Sequence, residues 1–495
     1  MKEKDKINIP RRLSIDFGKT IGPVKPVHST GQGPLLQRGE APDFSMFRHL
    51  KEAGVPYARL HDVGGMFGGN LWVDIPNIFR DFDADENDPA SYDFTFTDLY
   101  LAALVENGVE PYFRLGVTIE NYARSVGKAY RIFPPKDFKK WARVCEHVIR
   151  HYTEGWANGC RYKITYWEIW NEADDRPDDR NPMWLGTWRQ FCEFYEVAAK
   201  HLKAKFPRLK IGGYGRCTAH HVTFEMSGEP VPEEEAYRER CFESFCDFIK
   251  ERRPPLDFFS FHGYINPDLV APHTDYHRRM LRKAGYGNVE IHLNEWLCGD
   301  RSGYFWRRAS LSSVIAAFIA ACQHAKNLKI ANIYDAKCAL SAYAPLFDPI
   351  LKKPGKAFYA LKYFNALYRL GKAVKCEVEG GQGTDGLWAV AARGGASRPG
   401  EPLRAESPRS QRGGGLQTAG CDWRSGDRHP SLSQSGSPRA AAFIVNDSPT
   451  PCQIDADFGG RKPAACRIVD AKRTDAEIPF PATLPPHSFL LIEFA

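Results

Sequence analysis

From Pro26 to Gly371 the chain alternates between short apolar runs of period two and longer segments of period 3.6. "PVHST" precedes "DFSMFRHLKEAG", "PYARLHD" precedes "TFTDLYLAALVENG", "PYFRLG" precedes "KDFKKWARVCEHVIRHYTEG", and "ITYWEIWNE" precedes "GTWRQFCEFYEVAAKHLKAKF". "KIGGYG", "LDFFSFHGY", "VEIHLNEW" and "ANIYD" open four further units of the same kind, the last closed by "GKAFYALKYFNALYRLG". Eight strand-then-helix units predict an α/β fold, a (β/α)8 TIM barrel over residues 25–371. Gly54, Gly108, Gly371 and Pro254 stand where helices should stop.

Beyond Gly371 the period shortens. "AVKCEVEG", "GLWAVAA", "AAFIVND", "CQIDADF", "CRIVDA" and "SFLLIEFA" read as strands of a C-terminal all-β sandwich domain over residues 372–495. "INIPRRLSIDFG", within an N-terminal segment 1–24, reads as a strand added to that domain. Between "GLWAVAA" and "AAFIVND" lies a stretch, Arg393 to Ala440, without Ile, Val, Phe or Tyr. It cannot bury enough apolar surface to offset its ordering entropy, so it reads as a disordered insertion in a hairpin loop.

Composition adds three constraints. The 495 residues carry a formal net charge of +7, but Arg393 to Ala440 holds eight arginines against four acids and so supplies +4 of it. The barrel is close to neutral, and an inert insertion or a shifted reading frame is favoured over an Arg/Gly-rich RNA-binding segment: no nucleic-acid partner is expected. The charged start "MKEKDKINIPRRLS" has no signal-peptide core, and "VIAAFIAAC" (Val314 to Cys322) is far shorter than a membrane span, which points to a cytoplasmic protein without a membrane partner. The thirteen cysteines show no CxxC or Cys/His spacing and mostly fall inside helical patterns, as reduced core residues would. Neither a metal nor a cofactor is implied, and a homo-oligomer is compatible with the sequence.

The chemistry is carried by two apolar strands that end on acids. In a barrel the residue that closes a strand points into the mouth where ligands bind. Glu172 closes the fourth strand and Glu295 the seventh, each after an asparagine. Two carboxylates facing each other across one mouth suit glycosidic bond cleavage: one protonates the leaving oxygen and the other attacks the anomeric carbon.

"WEIWNE" and "LNEW" resemble the acid/base and nucleophile motifs of the retaining clan A glycoside hydrolases. "YARLHD", "SFHGY" and "ASYDFTFTDLYLAALVENGVEPYFRLG" are similar to glycoside hydrolase family 39, the β-xylosidase and α-L-iduronidase family. The resemblance covers roughly residues 25–370. It implies that Glu172 is the acid/base, Glu295 the nucleophile, Asn171 the donor to the sugar 2-OH, Tyr264 a hydrogen-bond partner of the nucleophile, and His262 and His61 substrate contacts.

Among aromatics near the mouth (Phe67, Trp72, Trp170, Trp296 and Tyr304), Trp296 ranks first for stacking on sugar, while Trp170 is expected to pack between barrel and helices. Arg59 and Arg114 serve equally well as carboxylate partners or sugar contacts. The eighth strand lacks the terminal Trp common in clan A, so the sugar platform there must differ. The resemblance implies an oligosaccharide or glycoside substrate of plant or host origin, β-xylosidase-like. An α-L-iduronidase-like or other clan A glycosidase and a carbohydrate-binding pseudoenzyme are the alternatives.

Overall fold

The computed structural model describes residues 10–36, 46–60, 63, 72–118, 131–177, 180–298, 309–339, 341, 343–394 and 439–495. Eight parallel strands close a barrel: β2 (Ser29–Gly31), β3 (Tyr57–Arg59), β4 (Glu110–Leu115), β5 (Tyr166–Ile169), β6 (Lys210–Arg216), β7 (Phe258–Gly263), β8 (Glu290–Trp296) and β9 (Ile330–Tyr334). The ring is completed where β2 pairs with β9, Ser29 opposite Asn332.

Helices α1 (Phe47–Glu52), α3 (Thr95–Glu106), α4 (Phe138–Thr153), α5 (Trp188–Lys205), α7 (Glu233–Arg252), α8 (Val270–Lys283), α9 (Ala309–His324) and α10 (Phe358–Leu370) follow the strands in turn. Two short helices, α2 (Ile75–Ile78) and α6 (His221–Ser227), sit in the loops above the strand ends. Local chemistry sets several of these starts. Asp137 accepts from the backbone N–H groups of Lys139 and Lys140 at the head of α4, and Thr187 with Gln190 forms a capping box on α5.

The apolar run "VIAAFIAAC" lies in α9, which is buried on almost every side because it is pressed between the barrel and a β sheet. No helix among the described residues is long and apolar enough to cross a membrane.

That sheet has nine strands. After a two-stranded hairpin of β10 (Phe347–Asp348) and β11 (Lys353–Pro354), α10 runs into β12 (Gly371–Val378) with no loop between them, Gly371 taking φ +84°. There follow β13 (Leu387–Gly394), β14 (Ala440–Asn446), β15 (Cys452–Asp457), β16 (Pro463–Val469), β17 (Ala476–Glu477), β18 (Thr483–Leu484) and β19 (Ser488–Phe494). The order is β17-β16-β19-β14-β13-β12-β1-β15-β18, where β1 is Arg11–Pro23.

The first described strand therefore lies inside the sheet, antiparallel to β12 and parallel to β15. One face, with Leu13, Ile15, Ile444, Ile468, Leu490 and Ile492, encloses its own core. Both ends of the strand order contribute to it, so one sheet curls into a sandwich-like layer pair. The other face, with Phe443, Val445 and Phe489, joins the barrel core against α9 and α10. β13 and β14 are antiparallel neighbours, Arg393 opposite Ala440, so the Arg-rich stretch departs from and returns to one hairpin; residues 395–438 lie outside the described residues.

Candidate active site

The mouth of the barrel is built on the C-terminal ends of β3, β5, β7 and β8. Strand β5 ends at Ile169; Trp170 and Glu172 then take left-handed backbone angles, φ +69° and +44°. This turn sends Trp170 outward, where it packs edge-on against Trp184 and Phe194 between barrel and helices. Asn171 and Glu172 are left at the mouth, and the Glu172 N–H donates to the Gly215 carbonyl at 2.8 Å.

One carboxyl oxygen each of Glu172 and Glu295 and a ring nitrogen of His262 all lie within 4.8 Å of one another. His262 Nδ1 shares a hydrogen bond with Glu172 Oε1 at 2.6 Å and stands 3.6 Å from Glu295 Oε2. The Tyr264 hydroxyl donates to Glu295 Oε1 at 2.5 Å. Glu295 is the deeper of the pair, its side chain 5% exposed against 14% for Glu172.

Arg59, fully buried, binds this group from below. It donates through Nε to Glu168 Oε2 at 2.7 Å, through one terminal nitrogen to Glu295 Oε2 at 3.2 Å, and through the other to Asn171 Oδ1 at 2.5 Å. Asn171 thus has its oxygen occupied, while its buried Nδ2 has no partner among the described residues. Arg114 instead donates to the backbone carbonyls of Leu60 and Val117.

The two glutamates differ electrostatically. Burial, followed by the charge of Asp175, pushes the Glu172 carboxyl up to about 8, against the pull of Arg59 and Arg238. It holds its proton at neutral pH. Burial and the neighbouring Glu172 carboxyl also raise Glu295, while Arg59 and the hydrogen bond from the Tyr264 hydroxyl pull it back towards its charged form. Burial lowers His262, so the imidazole between the two acids is neutral.

Glu172, His262 and Glu295 are close enough to share a cation. The Arg59 guanidinium beside Glu295 already supplies the positive charge there, which makes a resident metal a poor fit.

The other expected positions separate. His61, Phe67 and Tyr304 lie outside the described residues. Trp72 is buried. Trp296 is not a sugar platform: it is fully buried and stacks on Phe318 of α9 at 4.0 Å, because the residue after an inward strand position faces the surrounding helices. Asp335 is buried and accepts from the Lys337 N–H at 2.9 Å. Tyr334 ends β9, its hydroxyl accepting from Gln32 Nε2 at 2.7 Å. Tyr343, 38% exposed, stands edge-on to both Tyr334 and Tyr264 at 5.7 and 6.1 Å.

Three polar residues were not anticipated. Glu168, Ser260 and Asn294 lie inside the barrel, where Ser260 Oγ and Asn294 Nδ2 donate to Glu168 Oε1 at 2.6 and 2.5 Å. Their signal was a polar residue in the middle of a fully buried strand, which requires a polar partner on the neighbouring strands.

Comparison with known proteins places the chain in a family. The model described as "Glycosyl hydrolases family 39" matches residues 25–291, ending four residues before Glu295. A β-xylosidase from Geobacillus stearothermophilus is 23% identical over 260 residues, covering 46% of this chain and 45% of that protein. One from Caldicellulosiruptor saccharolyticus is 24% identical over 287 residues, 56% of this chain and 51% of the other. Mouse α-L-iduronidase is 28% identical over 225 residues, 42% of this chain and 31% of that protein. The chain thus spans about half the length of the β-xylosidases it matches.

Among solved structures, a glucosidase from Croceicoccus marinus superposes with TM-score 0.68 at 17% identity, covering 98% of this chain and 99% of the other. A monomeric β-xylosidase from Caulobacter crescentus gives 0.60 at 14% identity, with coverages of 98% and 99%. These likenesses concern the fold. With more than half of its length matched by the family model, the chain belongs to glycosyl hydrolases family 39.

Proposed function

We propose that the protein is a retaining glycoside hydrolase acting on a β-xyloside or a similar neutral glycoside. The observation that carries this reading is the pair of facing carboxyl groups, with oxygens within 4.8 Å, where burial and Asp175 keep Glu172 protonated while Arg59 and the Tyr264 hydroxyl partly offset the effect of burial on Glu295. That spacing suits a double displacement and leaves no room for the water an inverting enzyme places between its carboxyls.

In the first step Glu295 attacks the anomeric carbon while Glu172 transfers its proton to the leaving oxygen, giving a glycosyl ester on Glu295. In the second, Glu172, now a carboxylate, takes a proton from water as the water attacks the same carbon and releases Glu295. Two inversions give net retention. The free Nδ2 of Asn171 suits the sugar 2-OH, a contact that strengthens as positive charge builds on the ring. Tyr334 and Tyr343 supply an aromatic wall in place of the missing tryptophan. His61, at the end of β3 in sequence, remains a candidate contact to the sugar.

Among the described residues Arg59, which is bonded to Glu295, is already shared with Glu168, which favours a neutral sugar over a uronate. The twelve described cysteines are free thiols, eleven of them buried, which supports a reducing, cytoplasmic location. In this reading residues 25–371 carry the chemistry and the sheet of residues 372–495 braces the barrel.

Hydrolysis of a panel of aryl glycosides (β-xyloside, β-glucoside, α-arabinoside, α-iduronide), with NMR of the first-formed sugar, tests the proposal. The β-xyloside should turn over fastest with retained configuration. Inverted product would refute the mechanism, exclusive cleavage of the α-iduronide would reassign the substrate, and sugar binding without turnover would mark a pseudoenzyme.

A further inference from the structure

Glu168 has no place in the two chemical steps, and being wholly buried it cannot reach substrate. Its bonds nevertheless reach the three other strands that carry the site, β3, β7 and β8. Oε2 receives Arg59 Nε, and Oε1 receives Ser260 Oγ and Asn294 Nδ2, the latter residue immediately preceding Glu295. Ser260 Oγ accepts in turn from the Gly215 N–H at 2.8 Å, and the Gly215 carbonyl accepts the Glu172 N–H. The packing is close: a Cβ on Gly215 would lie 3.1 Å from Arg59, 3.2 Å from Asn171 and 3.3 Å from Glu168.

Resting on the double-displacement reading above, the catalytic cycle poses an electrostatic problem for Arg59. Attack forms the bond between a Glu295 oxygen and the anomeric carbon, breaks the bond to the leaving oxygen, and moves the Glu172 proton to that oxygen. The negative charge leaves Glu295 and appears on Glu172. Arg59 is fully buried, stays protonated throughout, and has lost one of its two ionic partners. The charge that appears on Glu172 acts on Arg59 through space but makes no hydrogen bond or ion pair with it, and the other groups offer less: His262 and Tyr264 on the β7 side are neutral, Asn171 offers an amide oxygen, and Asp175 pairs with Arg238.

We infer that Glu168 is the permanent counterion of Arg59, a positioning residue that holds the arginine, and through it Asn171 and the Glu295 carboxyl, in place while Glu295 is esterified and uncharged.

The test compares the wild type with Glu168→Gln and Glu168→Asp. Loss of the charge should favour the ionised forms of both catalytic carboxyls, moving both limbs of the kcat/KM pH profile down by about one pH unit. kcat should fall at least about tenfold through misplacement of the groups, with KM little changed. Glu168→Asp, which keeps the charge, should return both limbs towards the wild-type positions. A merely structural role would lower the amount of active enzyme and leave the limbs where they are. A folded Glu168→Gln variant with unmoved limbs would overturn the inference.

Should the glutamine variant not fold, the wild type trapped with a 2-deoxy-2-fluoro glycoside answers the same question. Its crystal structure should show Arg59 still bonded to Glu168 beneath the ester on Glu295, and an arginine that has left Glu168 would refute the assignment. A wild type that neither turns over glycosides nor forms the ester would instead refute the glycosidase reading.

Discussion

The Tyr264 hydroxyl is a direct probe of Glu295, the nucleophile in the proposed mechanism. Tyr264→Phe removes one hydrogen bond, 2.5 Å long, to a carboxyl that is nearly inaccessible to water. A bond to a charged group contributes about 1.5–3 kcal/mol, and 1.36 kcal/mol corresponds to one unit of carboxyl pKa. The charged form of Glu295 is the one the hydroxyl stabilises, so its loss raises the pKa. Because Glu295 must be ionised to attack, activity should then disappear at a higher pH on the acid side. The acid limb of kcat/KM, measured with an aryl β-xyloside from pH 3 to 9, should move up by roughly one to two pH units. The alkaline limb, set by Glu172, should hardly move. An acid limb that stays in place, or moves down, would show that Glu295 is not the ionised member of the pair.

The remaining predictions concern both glutamates and one corrected aromatic. Glu295→Ala should abolish turnover of every glycoside. Glu172→Ala should still form the glycosyl-enzyme from substrates with acidic phenols and be rescued by azide, giving a glycosyl azide of retained configuration; azide products of the opposite pattern would exchange the roles. With Glu172 pushed up to about 8, wild-type kcat/KM should fall above about pH 8, and Asp175→Asn should draw that limb to lower pH by removing a neighbouring negative charge; an unmoved limb would discount Asp175. Trp296→Ala should cost about 3–5 kcal/mol in chemical denaturation by leaving a cavity against Phe318, with KM almost unchanged, whereas a large rise in KM at unchanged stability would return Trp296 to the sugar site.

The barrel was legible because each of its strands and major helices carries its own period and its own stop. What the sequence hid was direction. Trp296 looked like a sugar platform because it follows Glu295, yet β alternation turns it into the helix layer. Trp170 does pack between barrel and helices as expected, although the left-handed turn that sends it there leaves no mark in the pattern. Glu168, Ser260 and Asn294 stood in plain view, but their meaning depends on which strands are neighbours and in what register, and that is a property of the closed ring. The short α2 and α6 have too few residues to show a period. β17 and β18, two residues each, exist only as partners of longer strands.

The position of β1 makes the order of biosynthesis matter. Leu13 pairs with Val378 and Arg11 with Ile454, so this strand leaves the ribosome long before either neighbour exists. Through synthesis of the whole barrel its backbone groups have no ladder to join, and only after residue 457 has emerged can both of its sides be covered. Closing so long a loop costs little more entropy than closing a moderate one, because the cost grows with the logarithm of length. The burden is one of waiting: a nascent chain that carries an open strand ahead of its barrel is exposed to pairing with other chains. A nick that released β1 from the finished protein would leave β12 and β15 as two raw edges within what had been a continuous sheet.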